Sequence, residues 1–352
     1  MAFIVNEGSK EYPYSIRDVH ISDPFILADD KTGLYYTYVQ FVDANLFPEL
    51  KQDEACFYVL KSKDLINWSV PKVCFEKKTF WADKDYWAPE VHMWKGRYYL
   101  ISSFRAEGKL RGCQALVSDS PEGPFTPVGD KPITPEGWQC LDGTLFVDDE
   151  GQPWLVFCHE WMQVYDGQVC AVKLSDDLSK MISEPEILFR ASDAPWRGNA
   201  TADGGLVTDG PFLYRLPGGT LIMLWSSFSE RGGYTVGYCR SASGTIHGPW
   251  IQEEIPLFAL DGGHAMLFRS FGGELMMSLH CPNIHEKKRI LLFEMDDSDN
   301  KLSIKNEITG NWYNGAGGSA QNWRYNVPYG DEHVFSKDPV KNVGDRYEEK
   351  SR

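Results

Sequence analysis

Three aspartates stand at the head of similar apolar runs, and carboxyl groups gathered in this way do proton-transfer chemistry. Asp23 opens Asp23-Pro24-Phe25-Ile26-Leu27, Asp142 opens Asp142-Gly143-Thr144-Leu145-Phe146, and Asp209 opens Asp209-Gly210-Pro211-Phe212-Leu213. Asp-Pro and Asp-Gly are ordinary turn pairs, so chain geometry alone explains any one of them. Three at one register of a repeat are different: brought around a shared axis they repel, and that repulsion costs stability unless something uses it. Cleavage of a glycosidic bond does use it. One carboxyl protonates the leaving oxygen while another activates water or attacks the anomeric carbon. A third holds the sugar and lifts the acid's pKa by like-charge repulsion. Glu160, in Cys158-His159-Glu160-Trp161, is a second candidate for the acid, or else a rim residue that binds a sugar hydroxyl.

Other chemistries lack their residues. No Gly-x-Ser-x-Gly elbow is present for a serine nucleophile. Neither a P-loop nor a dinucleotide fingerprint occurs. The eight cysteines include no C-x-x-C pair, and several sit inside apolar strand-like runs, where a thiol behaves as a small hydrophobe.

The elements that must position the aspartates repeat five times. Each unit begins with a turn-like pair and an apolar run, passes a glycine turn, and continues into a second aromatic or aliphatic run. The first unit runs from Asp23 through Gly33 to Tyr38, and the second from Ala88 through Gly96 to Ile101. The third runs from Asp142 through Gly151 to Phe157, the fourth from Asp209 through Gly219 to Trp225, and the fifth from Gly263-His264 through Gly273 to Leu279. Each reads as a β-hairpin, followed by two more strand-like runs. Four strands per unit make a propeller blade, so the expected fold is all-β: a five-bladed β-propeller of four-stranded antiparallel blades. In such a ring the first strand of each blade lines the central channel, and its start carries the aspartates. The propeller is expected over 1–310. Residues 311–352 form a C-terminal extension, and one chain end is expected to supply a strand that closes the ring.

The bulk numbers narrow the partners. A chain of 352 residues, 42% hydrophobic and 24% charged, can bury a large core. Its formal charge of −15 argues against nucleic acid and anionic membranes, and no apolar run is long enough to span a bilayer. The first residues lack signal-peptide character, which predicts a cytoplasmic protein and makes the sequons at Asn67 and Asn199 chance matches. Twelve Trp and seventeen Tyr suit a sugar-binding cleft. Trp87, Trp161 and Phe41 are candidate sugar contacts, with Glu90 beside them; Trp138 and Phe228 stand near blade openings, and Trp225, deep in an apolar run, reads as core.

The set Ser22-Asp23-Pro24-Phe25-Ile26, Trp87-Ala88-Pro89-Glu90-Val91, Asp142-Gly143-Thr144-Leu145-Phe146, Asp209-Gly210-Pro211 and Gly263-His264 resembles glycoside hydrolase family 43. The resemblance covers roughly residues 15–300. It implies a five-bladed propeller and inverting hydrolysis of pentose-containing oligosaccharides such as arabinosides or xylosides, with exo action expected from long inter-blade loops. By the same resemblance Asp23 is the general base and Asp142 the carboxylate that tunes and orients the acid. The family's acid is usually a Glu before Gly-Pro or Ala-Pro; here that place holds Asp209, one methylene shorter, so Asp209 and Glu160 both stay open as the acid. His264 is implied near the axis, where it would help hold a calcium ion; no organic cofactor is implied. Two other readings are a glycoside phosphorylase, which needs a cationic phosphate site beside one acid, and a sugar-binding propeller without turnover.

Overall fold

A computed structural model describes residues 10–17, 19–40, 42, 50, 56–76, 80–198, 204–229, 233–284 and 287–309. Phe41 and the expected C-terminal extension lie outside the described residues.

Among the described residues, twenty-two strands form five antiparallel sheets arranged as the blades of a propeller. Blade one holds β2 (Ile26–Asp29), β3 (Leu34–Val39), β4 (Cys56–Ser62) and β6 (Lys72–Glu76), with the short β1 (Tyr14–Ser15) and β5 (Asn67–Trp68) at its outer edge. Blade two is β7 (Lys84–Trp94), β8 (Arg97–Arg105), β9 (Gly112–Ser118) and β10 (Thr126–Pro127). Blade three is β11 (Cys140–Val147), β12 (Pro153–His159), β13 (Gln168–Lys173) and β14 (Glu186–Arg190). Blade four is β15 (Asp209–Arg215), β16 (Leu221–Phe228), β17 (Tyr234–Ser241) and β18 (Trp250–Gln252). Blade five is β19 (Gly263–Arg269), β20 (Leu275–Cys281), β21 (Arg289–Asp296) and β22 (Ser303–Glu307). The single α-helix among the described residues, α1 (Trp161–Val164), is one turn long.

The five glycines that mark the hairpins share one conformation. Gly33, Gly96, Gly151, Gly219 and Gly273 all have φ between 67° and 91°, the left-handed region that a side chain disfavours.

The strands read as continuous apolar runs because each blade is buried on both faces. Five hydrophobic clusters sit between neighbouring blades. On β12, Leu155 and Phe157 pack toward blade two with Ile101 and Cys113. The alternate residues Val156 and Cys158 pack toward blade four with Met223 and Trp225. Period-two alternation therefore persists, but both sets of side chains are apolar. All eight cysteine thiols are buried in these strands, as small hydrophobes would be.

Each blade is made of consecutive strands, and the N-terminal segment adds β1 to the outer edge of blade one. The same segment stitches blade one to blade five. His20 bridges Arg289, the Ile21 amide donates to the Lys288 carbonyl at 3.4 Å, and Arg17 donates to the Thr309 carbonyl at 2.9 Å.

Candidate active site

The inner strands share a device at their starts. In blades two to five two residues of the first strand face one of the second, a β-bulge, and the first bulged residue is left-handed. Those residues are Ala88 (φ 48°), Asp142 (53°), Gly210 (51°) and His264 (56°), and Asp23 (55°) takes the same conformation in blade one. Asp, His and Gly accept this region better than most types, so the chemical residues and the backbone agree. The equivalent residues are thus 23, 88, 142, 210 and 264. Asp209 falls one position before the bulge, opposite Ser226, and corresponds to Trp87, Leu141 and Gly263. This corrects the expectation of three aspartates at one register.

In blades two, four and five the second strand holds the bulge of the next blade. The Asp142 amide donates to Ser103 Oγ at 2.9 Å, the His264 amide to Ser226 Oγ at 2.8 Å, and the Asp23 amide to His280 Nδ1 at 3.1 Å. In blade three the corresponding residue is Cys158, opposite Leu141. The Gly210 amide donates instead to Asp142 Oδ2, at 3.0 Å. A Cβ at Gly210 would lie 2.9 Å from the His264 ring, so glycine also lets that ring close on blade four.

A pocket drawn from all five blades lies over these bulges. Blade one supplies Ser22, Asp23 and Gln40, and blade two supplies Trp87. Blade three supplies Leu141 and Asp142, and blade four Asp209, Phe228 and Tyr234. His264, His280, Asn283 and Lys288 come from blade five. Asp23, Asp142 and Asp209 therefore meet in one pocket.

His264 organises the carboxylates. Its Nδ1 is 3.2 Å from Asp23 Oδ1 and 3.7 Å from Asp142 Oδ2. Burial works against its charge, but Asp23 and Asp142 outweigh it and push the imidazole up to about 10. Burial likewise works against the Asp23 carboxylate. The His264 charge and hydrogen bond, with the Lys288 charge, prevail and hold Asp23 well below the usual range. Asp142 is pushed up to about 6 by burial and by repulsion from Asp23 and Glu90, with the His264 charge and the Gly210 amide opposing. Asp209 rises to about 8, through burial first and repulsion from Asp142 second. Tyr234 Oη donates to Asp209 Oδ2 at 3.0 Å. His280 is pushed down to about 4 by burial and by Lys288, so it stays neutral and can accept from the Asp23 amide.

Several other expected site residues fall elsewhere. Glu160 is buried and does not line the pocket; Arg111 Nη1 donates to its Oε2 at 2.5 Å. Arg111 Nη2 also reaches Asp85 Oδ2 at 3.0 Å, and the guanidinium stacks 3.9 Å from the centre of the Trp87 ring. The strand end does return to the catalytic face, but a buried cation 49 residues away in sequence claims the carboxylate. Glu90 is also buried, with His92 Nε2 at 2.9 Å from its Oε2, and acts on the pocket through its charge alone. Trp161 packs behind the wall against Val207, Phe228 and Tyr234. Trp138 stacks on His159 at 4.1 Å, and Trp225 is core, as expected.

The imidazole nitrogen of His264 that faces the carboxylates is paired with Asp23, so a calcium ion, which takes oxygen ligands, would have to displace that pair. Among the described residues no three His, Cys, Asp or Glu side chains are grouped to hold a metal ion.

Sequence reasoning missed Tyr234 and His280, which come from a third and a second strand rather than from blade openings, and Arg111, which sits just before the third strand of blade two. A polar residue ending an apolar second strand, as His280 does, was the available signal.

The family described as Glycosyl hydrolases family 43 matches residues 13–299. The chain is 30% identical over 144 residues to an extracellular exo-alpha-(1->5)-L-arabinofuranosidase, ArbA, of Cellvibrio japonicus (strain Ueda107), a match covering 36% of this chain and 40% of that protein. It is 26% identical over 233 residues to extracellular endo-alpha-(1->5)-L-arabinanase 1 of Bacillus subtilis (strain 168), covering 61% of this chain and 65% of that one. The matches thus span less than two thirds of these relatives' lengths. Among solved structures, an endo-arabinase from Bacteroides thetaiotaomicron VPI-5482 superposes with a TM-score of 0.76 at 44% identity, over 82% of this chain and 99% of that one.

Proposed function

The chain belongs to glycosyl hydrolases family 43, and from that membership and its pocket we propose that it hydrolyses pentose-containing oligosaccharides, arabinosides first among them, with inversion. The observation that carries this reading is the opposite displacement of two carboxyls in one pocket. Asp23 is held ionised by His264, while Asp209 is pushed up to about 8 and stays protonated at neutral pH. Environments that drive two carboxyls apart assign the base and the acid.

Asp23 takes a proton from water as the water oxygen bonds to the anomeric carbon. The bond from that carbon to the leaving oxygen breaks, and Asp209 protonates that oxygen. Asp142, fixed by the Ser103 hydroxyl and the Gly210 amide, keeps Asp209 protonated by its charge. Trp87, backed by Arg111, offers the sugar a flat apolar face. No step is routed through a metal ion.

The arabinose preference rests on the names of the relatives, which include both exo- and endo-acting enzymes. Exo action is the reading carried from the sequence, and chromatography of arabino-oligosaccharide digests tests it: free pentose as the first product supports it, and a ladder of oligomers overturns it. Eight buried cysteine thiols favour a reducing compartment, and we propose a cytoplasmic location; fractionation of the source cells is the check.

The hydrolase reading is tested on a panel of aryl and alkyl pentosides. Asp23→Asn should lower turnover roughly 1,000-fold or more. Turnover at the wild-type rate would sink the base assignment. Asp209→Ala should spare nitrophenyl substrates, whose leaving group needs no proton, far more than alkyl ones. Equal losses on both would remove Asp209 as the acid.

A further inference from the structure

Asp209 is short for its proposed task, and a tyrosine from the third strand of its own blade holds it. We propose that Tyr234 is a positioning residue that fixes the Asp209 side chain and reserves Asp209 Oδ1 for the proton delivered to the leaving oxygen. The proposal rests on the reading of Asp209 as the acid.

Three contacts make the tyrosine rigid. Its ring lies parallel to that of His280, 5.5 Å between centroids at 13°, and tilts against Phe228 at 5.2 Å. Its third side faces Gly263, where a Cβ would come 2.3 Å from Tyr234 Cε1. Tyr234 is 3% exposed and sits at the first position of β17, so backbone pairing anchors it too. Its hydroxyl is therefore fixed in space, 3.0 Å from Asp209 Oδ2. An O–H that donates to Oδ2 leaves the acid proton on Oδ1. It also locks one side-chain rotamer, which a carboxyl one methylene shorter than Glu needs in order to reach the bond.

The donated hydrogen bond favours the ionised carboxylate, so its loss must raise the acid's pKa. The test is kcat/KM against pH for wild type, Tyr234→Phe and Asp209→Ala, on nitrophenyl and alkyl pentosides. In Tyr234→Phe the alkaline limb should move up by about half a pH unit or more. The rate on alkyl pentosides should fall roughly tenfold, the scale of one hydrogen bond to a carboxyl that becomes charged as it gives up its proton. Nitrophenyl pentosides should lose less. Gly263→Ala, which displaces the ring without removing the hydroxyl, should move the limb the same way. A lowered Tm with the wild-type alkaline limb in both variants overturns the proposal and leaves Tyr234 a packing residue. If Asp209→Ala itself shows no dependence on leaving group, the acid assignment fails first, which is a distinguishable result.

Discussion

His264 Nδ1 stands 3.2 Å from Asp23 Oδ1, an ion pair across the first and last blades of the ring. The same contact closes the propeller and sets the charge of the proposed base. It couples stability to activity, because the imidazole is held up to about 10 by the carboxylates beside it.

That coupling has a sign. A histidine raised from 6.5 to about 10 contributes stability in full below pH 6.5 and loses it as pH rises through 10. Wild-type Tm should therefore fall between pH 7 and 10 more steeply than that of His264→Gln. Differential scanning calorimetry across that range checks it; parallel curves would contradict the ion pair. Without the imidazolium Asp23 and Asp209 both lose a stabilising charge, so the activity profile of the variant should shift to higher pH as a whole.

The wild-type profile of kcat/KM should be a broad bell. Its alkaline limb should lie near 8, where Asp209 loses its proton. Its acid limb should lie below the usual carboxylate range, because Asp23 is held well down. A limb near pH 6 that persists in Asp142→Asn would show that another group titrates there.

Glu160 separates structure from chemistry. Glu160→Gln leaves Arg111 with less negative charge in a buried site, and breaking such a pair costs about 3 kcal/mol. Tm should fall markedly in thermal melts, while the alkaline limb of the folded variant stays at its wild-type position. Movement of that limb would return Glu160 to the list of acids.

Arg111→Ala should raise KM more than it lowers kcat, since the guanidinium supports Trp87 rather than touching the reacting atoms. Trp87→Ala should behave in the same direction, and the double variant should lose less than the product of the single effects. Steady-state kinetics on an arabino-oligosaccharide provide the check; fully multiplicative losses would deny that the two act together.

Hydrolysis should release the sugar with the anomeric configuration opposite to that of the bond. Proton NMR of the first minutes of reaction, before mutarotation, distinguishes this from retention. Retention would turn Asp23 from base to nucleophile.

The ring is legible in the order of the amino acids. Consecutive apolar side chains, as over 153–158 of β12, can only be buried on both faces, and five glycines that require positive φ mark where each inner hairpin turns. That order also brought Asp23 and Asp142 to the axis, since both open a blade. Spacing could not reveal the bulge, because an extra residue on one strand is defined only by the strand opposite; counting from Asp-Gly therefore set Asp209 one place out of register. Nor could spacing foresee that Arg111 would draw Glu160 away, or that Tyr234 would reach Asp209. Those pairings join residues 49 and 25 positions apart, and only the packing of neighbouring strands and blades decides which polar atoms are buried together.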